Sequence, residues 1–470
     1  MEPQSDHGTK SFRVIVVGAG IVGLSLSHAL QLANINHVVL EKHKEIVSLR
    51  GSALVLFPSA ARILDQFGVL QIMQQSTLPV QREFVRWPDG SVNTRPSNHY
   101  NLLAHFGVAP ISLNRHSLVR YLYDGLPDKS TIRTDARVER IEQNDAAVKV
   151  FLEDGSYEAG DLVIGADGVH SLTRNFMWDH SDLTHPDWVP VSDKHFAFTE
   201  YKAIFGVSAP DRFPGLGPAD MHVCLGEGTS KLVFTQPGAV MWAVMYKDKY
   251  SQPPKPFRPD EHETEEVARR FKHLKITEDI TFEDLWTWKL RGGILNMEEG
   301  ILEKWHAGRI VLVGDSAHKM TADIGMGANM AIESAAALAN VLQRAVAAHS
   351  HQDYHPTQSE LSALFTEYQS QRFARVKRIM ELSSSTTRMR SYQSLWKRFW
   401  ISHIATLPIM QRFMAKKMIA GFATAPKLDY ARVRTIDENM KGWRLGQENK
   451  KHPSWPATAT SLIFLLSTGE

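Results

Sequence analysis

The sequence predicts an α/β protein with a Rossmann-like nucleotide-binding domain, an inserted antiparallel β-sheet domain and a helical C-terminal region. Residues 12–17 are short, β-branched and bounded by a glycine loop, which is typical of a buried parallel strand. Residues 161–164 and 309–313 have the same character, and each is followed by a turn with glycine and aspartate. Residues 195–250 instead alternate between apolar and polar and carry Pro-Gly turns, which indicates an antiparallel sheet.

The elements around these strands complete the pattern. Residues 21–32 have helical periodicity, and residues 38–40 form a second strand that ends at Glu41. Strand, helix and strand thus follow within about 30 residues, which is the βαβ unit. An Ala-rich helix is predicted from Gly327 to about Ala348, and a basic helical region from Leu361 to about Arg398.

We therefore expect a discontinuous organisation. Residues 11–80, 105–185 and 286–350 are assigned to the nucleotide-binding domain. Residues 81–104 and 186–285 are assigned to the sheet domain, which we expect to bind substrate, and residues 351–470 to the helical C-terminal region and tail.

Composition excludes several classes of function. The 470 residues include 53 basic and 51 acidic side chains, a net charge of +2, so nothing in the overall charge favours nucleic acid. The loose cluster His349, His351 and His355 sits in a polar loop without metal-ligand spacing, and no metal site is expected.

The sequence favours an intracellular protein, either cytoplasmic or peripherally attached to a membrane. Cys224 is the single cysteine, so no disulfide is expected, and residues 1–10 are too polar for a secretory signal. Residues 457–466 end in an apolar run that is about half the length of a spanning helix. Two interpretations of this tail stay open, a disordered segment and weak membrane association, and the first is slightly favoured.

The glycine loop Gly18-x-Gly20-x-x-Gly23 is the first motif that carries chemistry. Its glycines allow a tight turn and close approach to a pyrophosphate, and the following helix supplies free N–H groups. Glu41 lies some 20 residues further on, where a carboxylate accepts hydrogen bonds from ribose hydroxyls. Together these features predict a dinucleotide site.

Two further motifs place an aspartate at the end of a buried strand. Asp167 lies in Gly165-Ala-Asp-Gly-Val-His-Ser-Leu-Thr-Arg174, where it can contact a ligand or cap an ordinary turn. Asp315 lies in Gly314-Asp-Ser-Ala-His318 and can accept from a polyol chain. Gly325-Met-Gly-Ala328 then opens a long helix, whose positive N-terminus can face the electron-rich part of a reduced flavin. His318 is interpreted as a supporting hydrogen-bond partner rather than a catalyst.

In this order, the three motifs resemble the single-component FAD-dependent aromatic-hydroxylase superfamily over roughly residues 12–380. The stretch around Asp315, together with residues 122–127 and 201–206, resembles the fungal paxilline-type FAD monooxygenases, which epoxidise prenyl chains of indole diterpenes and meroterpenoids. The resemblance implies a flavoprotein monooxygenase with FAD as cofactor and NADPH or NADH as a transient reductant. A flavin C4a-hydroperoxide would then transfer one oxygen atom from O2 to an apolar small molecule.

The resemblance also implies roles for individual residues. The expected FAD contacts are Gly18, Gly20, Gly23, Glu41, Val55, Arg115, Asp167, Asp315, Gly327 and Ala328. One position departs from the family: Ala322 stands where a proline is usual near the reactive face of the flavin, which predicts a more flexible loop.

The inserted sheet is expected to cover the flavin and to bind substrate through apolar side chains. His222 is the one titratable side chain within residues 221–225, and it is the candidate catalytic residue, with a solvent-facing histidine as the alternative. Three functions stay open: epoxidation of a prenylated or terpenoid metabolite, hydroxylation of an aromatic or indole ring, and flavin binding without oxygenase activity.

Overall fold

A computed structural model describes residues 12–48, 51, 53–94, 98–255, 257, 259–349 and 353–451. His351 and the apolar run of residues 457–466 lie outside these described residues. No described helix is both long and apolar enough to cross a membrane.

Nineteen strands are described, most of them short. They are β1 Arg13–Val17, β2 Asn36–Leu40, β3 Ala53–Leu56, β4 Arg82–Arg86, β5 Val92–Thr94, β6 Ile111–Asn114, β7 Ile132–Arg133, β8 Val138–Gln143, β9 Val148–Leu152, β10 Tyr157–Gly160, β11 Leu162–Gly165, β12 Phe198–Ser208, β13 Asp220–Cys224, β14 Thr229–Gln236, β15 Ala239–Ser251, β16 Lys289–Ile301, β17 His306–Ala307, β18 Ile310–Leu312 and β19 His318–Lys319.

Thirteen α-helices are described. They are α1 Ile21–Leu32, α2 Pro58–Phe67, α3 Val69–Gln74, α4 Asn98–Phe106, α5 Arg115–Asp124, α6 Leu172–Thr184, α7 Glu261–Phe271, α8 Phe282–Thr287, α9 Gly327–Ala348, α10 Gln358–Arg390, α11 Leu395–Phe399, α12 Pro408–Ala423 and α13 Lys441–Lys451. A π-helical turn, Trp400–Ile404, follows α11.

The first sheet has six strands in the order β17-β18-β11-β1-β2-β7. β1 pairs in parallel with β2 and β11, and β11 pairs in parallel with β18. The carboxyl ends of parallel strands meet at one edge, where α/β proteins bind ligands. The three sequence motifs follow β1, β11 and β18, so this topology brings all three to the same edge. The predicted α/β fold is confirmed.

The second sheet has eight strands in the order β19-β16-β12-β15-β14-β13-β4-β5, and all its pairs are antiparallel except β13 with β4. β16 runs along β12 from Phe198 to Ser208. Residues 289–301 therefore belong to this sheet, although the sequence placed them with the nucleotide-binding segments. Their pairing partner lies some ninety residues away, and no local pattern shows such a partner.

The two faces of the eight-stranded sheet pack against different neighbours. One face buries Val233 and Trp242 against α7 and α8, with the ring centroids of Trp242 and Phe282 5.2 Å apart. The other face buries Val223, Phe234 and Met241 together with Val55 of β3. Because side chains alternate along a strand, each position belongs to one face only.

The C-terminal region returns to the nucleotide-binding part of the molecule. Trp443 of α13 packs on Phe106 with ring centroids 4.5 Å apart, and its indole N–H donates to the Phe106 carbonyl. The guanidinium of Arg62 lies 4.0 Å from the centre of the Trp443 ring. The predicted basic helical region is confirmed as α10, which begins slightly earlier, and α11.

A buried ion cluster joins α9 to α10. Glu333 of α9 is completely buried and accepts from Arg372 at 3.1 Å and from Arg375 at 2.7 Å and 2.9 Å. Burial by itself would raise the pKa of Glu333, but the two arginines hold that pKa below its usual range. The carboxylate is therefore charged, and both of its oxygens are used.

We predict that Glu333→Gln lowers the free energy of unfolding by about 3 kcal/mol, because it leaves two buried cations without their counter-charge. Denaturant unfolding followed by tryptophan fluorescence measures this change. Glu367→Gln is the matched control, because Glu367 pairs with Arg344 while about half exposed, and a surface pair contributes less than about 1 kcal/mol. Equal losses in the two variants would contradict the prediction.

Candidate functional site

The turn between β1 and α1 is built by contacts that only glycine permits. Gly18 has φ +100°, and its N–H donates to the Leu40 carbonyl at 2.7 Å. A Cβ on Gly18 would lie 2.8 Å from the Ala166 carbonyl oxygen, and a Cβ on Gly23 would lie 1.8 Å from the Gly18 carbonyl oxygen. The turn therefore packs backbone against backbone, which places the N-terminus of α1 directly at the sheet edge.

The N-terminus of α1 suits an anionic group. Gly20 is its N-cap, and no described side chain caps it, nor does its first turn contain an acidic residue. A Cβ on Gly20 would meet only the Arg115 guanidinium, at 3.7 Å. Free N–H groups and a nearby cation thus face the same space, as a pyrophosphate requires.

Glu41 lies beside this turn at the end of β2. Its Oε2 accepts from the Ala19 N–H at 2.9 Å, and its Oε1 accepts from the His43 N–H at 3.0 Å. Each carboxylate oxygen has a second lone pair, so Glu41 keeps acceptors for ribose hydroxyls.

Asp167 adjoins the turn from β11, because the added Cβ of Gly18 would lie 3.0 Å from its Cα. Its Oδ1 accepts from the Ser171 hydroxyl at 2.6 Å, and its Oδ2 accepts from the N–H and the hydroxyl of Thr173, each at 3.0 Å. The carboxylate therefore fixes the start of α6. Of the two interpretations from the sequence, the capped turn is the one that these contacts describe.

Asp315 follows β18 at the same edge and keeps 34% of its side chain exposed. Burial would raise its pKa, but the ammonium of Lys319, which donates to its Oδ2, holds the pKa below the usual range, and Arg115 adds to this effect. An ionised, partly exposed carboxylate at this position can accept from a polyol such as the ribityl chain.

The first turn of α9 presents open backbone. A Cβ on Gly327 would meet no atom within 4 Å, and no described side chain caps this N-terminus. Asn329 fixes the turn to β3, since its amide donates to the Val55 carbonyl at 2.8 Å and accepts from the Phe57 N–H at 2.8 Å. Gly327 and Ala328 therefore lie next to Val55, on a rigid base.

These features fit FAD. Two uncapped helix N-termini, at Gly20 and Gly327, provide donors for the pyrophosphate and for the carbonyl edge of the flavin. Glu41 follows β2 and Asp315 follows β18 at the same sheet edge, with β1 and β11 between them, where they can accept from the two sugar-like chains.

A polar cluster around residues 320–326, the loop before α9 (the α9 loop), has no signal in the sequence. Asp323 is buried and accepts from the Ser230 hydroxyl at 2.9 Å and from the Thr387 hydroxyl at 2.6 Å, and it lies 3.8 Å from the Arg390 guanidinium. Thr321 bonds to Ser383 at 2.7 Å. These residues come from β14, α10 and the loop, and only the tertiary fold brings them together.

This cluster bears directly on Ala322. The missing proline predicts a flexible loop, but the structure holds the residues on both sides of Ala322 by buried hydrogen bonds to α10 and β14. Gly325 also donates to the Ala322 carbonyl at 2.9 Å. Side-chain hydrogen bonds therefore restrain this loop where the family usually has a proline ring, and the greater flexibility stays a prediction.

His222, the candidate catalytic residue, lies on the wrong face of the eight-stranded sheet. It alternates with Met221 and Val223, which face Val55 and the α9 loop, so its own side chain points to the opposite side. There it stacks on Phe84 at 4.8 Å and accepts from Arg86 at 3.0 Å. Burial lowers its pKa. The assignment as a catalyst is corrected to a buried structural histidine.

His318 keeps the supporting role expected of it. It is 1% exposed, its Nε2 lies 3.3 Å from the Ser334 hydroxyl, and burial lowers its pKa to about 4. Of the apolar side chains expected to bind substrate, Val223 and Phe234 lie on the face toward the α9 loop. Trp242 lies on the other face and packs under α8.

Known proteins similar to this chain are FAD-binding proteins, in agreement with a site that fits FAD. Residues 11–381 match the protein family described as FAD binding domain. The chain is 35% identical to the FAD-dependent monooxygenase esdpE of Penicillium shearii, over 94% of this chain and 91% of that protein. It is 34% identical to the FAD-dependent monooxygenase paxM of Penicillium paxilli, over 97% of this chain and 93% of that protein.

A solved structure, Klebsiella pneumoniae HpxO complexed with FAD and uric acid, has a TM-score of 0.68 at 20% identity and covers 89% of this chain and 99% of its own. It shares the fold. The family match and the two fungal relatives confirm the resemblance predicted from the motifs.

We predict that Gly23→Ala abolishes FAD retention, because its Cβ would overlap the Gly18 carbonyl. The ratio of visible flavin absorbance to protein absorbance after purification measures this loss. Gly421→Ala is the control, since Gly421 lies in α12 with no atom within 4 Å of an added Cβ, and it should keep the wild-type ratio. Retained flavin in Gly23→Ala would refute the prediction.

We predict that His222→Gln leaves kcat/KM within about twofold of the wild type while lowering thermal stability, since the side chain faces away from the α9 loop. Steady-state kinetics and a thermal unfolding midpoint give the two readouts. A loss of activity of about 100-fold, in the range expected for removal of a general acid or base, in a protein with normal FAD content would restore the catalytic role.

Proposed function

Because this chain belongs to the family of FAD-dependent monooxygenases, we propose that it epoxidises an apolar prenylated or terpenoid secondary metabolite. NADPH or NADH is the proposed reductant. The observation that carries this proposal is the apolar sheet face opposite the first turn of α9. That face consists of aromatic, branched and methionine side chains, among them Val223, Phe234, Met241, Met245 and Met297.

FAD, when bound, supplies the redox chemistry that activates O2 for transfer of one oxygen atom. The residues of this chain position and shield it. Arg115 and the N-terminus of α1 would hold the pyrophosphate, Glu41 and Asp315 would accept from the hydroxyls, and the backbone of Gly327 and Ala328 would contact the flavin. The Asn329 hydrogen bonds fix the distance between that backbone and Val55.

The polar groups beside this face favour epoxidation over phenol hydroxylation. Addition of oxygen to an alkene requires no deprotonation of substrate, whereas phenol hydroxylation benefits from a base. Asp323 borders this face through Ser230 of β14, and both of its oxygens already accept hydrogen bonds or face Arg390. The Tyr201 hydroxyl bonds to Ser391 at 2.9 Å.

Substrate recognition belongs to the inserted sheet, because strands β12 to β16 supply most of the apolar face. Flexible methionines adapt to irregular alkyl chains, and the buried face excludes water from the reacting centre.

Incubation with NADPH, isotope-labelled O2 and a panel of prenylated substrates tests the proposal. We expect NADPH oxidation to accelerate when substrate is added, and one labelled oxygen atom to appear as an epoxide on a prenyl double bond. Mass spectrometry after mild acid opening of the product identifies the labelled position. Asp315→Ala should lose FAD and product together, while the control Asp429→Ala, whose side chain is 60% exposed, should lose neither.

The alternatives give different results in the same assay. Labelled oxygen on an aromatic or indole ring would show that the enzyme hydroxylates its substrate and would contradict the proposed epoxidation. Hydrogen peroxide without labelled product, from every member of the panel, would contradict the proposed oxygen transfer.

A further inference from the structure

The segment Leu395–Lys417 differs in charge from the rest of the chain. Residues 382–426 contain seven Lys and Arg and no Asp or Glu, although the whole chain has a net charge of only +2. Five of these cations fall within the segment itself: Lys397, Arg398, Arg412, Lys416 and Lys417. A one-signed surface of this kind attracts an anionic partner.

The same segment exposes large apolar side chains. Leu395 is 84% exposed and Ile409 is 76% exposed, and the short helix α11 contains no buried residue. Five more apolar side chains in the segment are at least 36% exposed: Trp396, Phe399, Leu407, Phe413 and Met414. Scattered apolar residues on a surface are ordinary, but seven within 20 residues form a concentration that marks an interaction site.

Aromatic rings and cations are interleaved along this surface. The rings of Trp396 and Phe399 stack with centroids 5.8 Å apart, and the Lys417 ammonium lies 4.8 Å from the centre of the Phe413 ring. In α12, Ile409 and Phe413 are four residues apart, as are Arg412 and Lys416, so each pair shares a side of the helix. Apolar side chains flanked by Lys and Arg suit the boundary between lipid headgroups and acyl chains.

Residues that flank the segment on both sides contact the apolar sheet face or its neighbours. On one side, the Ser391 hydroxyl bonds to Tyr201 of the apolar sheet face at 2.9 Å, four residues before Leu395. On the other side, Phe422 stacks on Phe57, next to Val55, with ring centroids 5.3 Å apart. The exposed surface is therefore continuous in the chain with residues that border the site.

We infer that Leu395–Lys417 binds the surface of an anionic phospholipid membrane. The apolar side chains enter the interfacial region, and the cations contact the lipid headgroups. The surface lies on the bilayer rather than across it, since no described helix is long and apolar enough to span one. Delivery of an apolar substrate from the bilayer to the site follows from this inference only if the proposed function also holds.

Sedimentation of the FAD-loaded full chain with vesicles tests the inference. One set of vesicles contains phosphatidylcholine alone, and the other contains phosphatidylcholine with phosphatidylserine. We expect binding that is at least about tenfold stronger to the vesicles with phosphatidylserine, because each cation near an anionic surface strengthens binding about fivefold. Raising the salt concentration should weaken this preference.

Two variants separate the apolar and electrostatic contributions. Leu395→Ser with Phe399→Ser and Ile409→Ser should reduce binding to both kinds of vesicle by about tenfold or more. Arg412→Glu with Lys416→Glu should remove the preference for phosphatidylserine. FAD content and the thermal midpoint of each variant confirm that it is folded.

A matched control removes equally exposed apolar side chains elsewhere. Leu183, Val191 and Leu290 are 86%, 75% and 68% exposed, and their replacement by Ser should leave vesicle binding unchanged. A second control, Leu462→Ser with Phe464→Ser, tests the C-terminal tail in the full-length chain and should also bind as the wild type does.

Three results would overturn the inference. The first is absence of binding to either kind of vesicle. The second is binding that the tail variant abolishes and the Leu395 variant retains. The third is a dimer in light scattering that the Leu395 variant converts to a monomer, which would assign the surface to a second copy of the chain. None of these results depends on whether labelled oxygen enters a product, so failure here is distinct from failure of the proposed function.

Discussion

The position of the α9 loop depends on one buried carboxylate, Glu333. It joins α9 to α10 through Arg372 and Arg375 in a place from which water is excluded. Both helices carry site residues at their ends: α9 begins with Gly327 and Ala328, and α10 supplies Thr387 and Arg390 to the loop before α9. A shift of one helix against the other would move the two halves of the site apart. Removing one member of such a cluster strands a buried charge, so the relative placement of the helices is strongly held.

The glycine turn imposes the second constraint, and it acts through shape rather than charge. Gly23 rests on the Gly18 carbonyl, and Gly18 rests on the Ala166 backbone. Strand β1, helix α1 and strand β11 thus meet without intervening side chains. The same close contact brings Asp167 beside the nucleotide loop, where its carboxylate organises the start of α6. Asp167 and the glycine turn are therefore neighbours because β1 and β11 pack closely at Gly18.

Local patterns in the sequence were sufficient for the parts of the fold that depend on nearby residues. The strands before Gly18 and Gly314, the helix from Gly327 and the shared sheet edge follow from periodicity, glycine spacing and the rule for parallel strands. β16 was misplaced because its partner, β12, is remote in sequence. His222 was misassigned because its side of the sheet depends on register, and a shift of one residue would have turned it toward Val55. Asp323 was missed because its partners come from two distant segments, β14 and α10.

The Asp323 cluster also restrains the α9 loop, which lacks the usual proline, beside the apolar sheet face. Buried polar groups are tolerated when their hydrogen bonds are satisfied within the protein. Ser230 and Thr387 both donate to Asp323, and Tyr201 bonds to Ser391, so these groups are engaged with neighbours rather than directed at a substrate. What remains on the sheet face is mainly hydrocarbon and thioether. The same hydrogen bonds therefore restrain the loop and leave the face apolar. They occupy polar atoms that would otherwise meet the substrate.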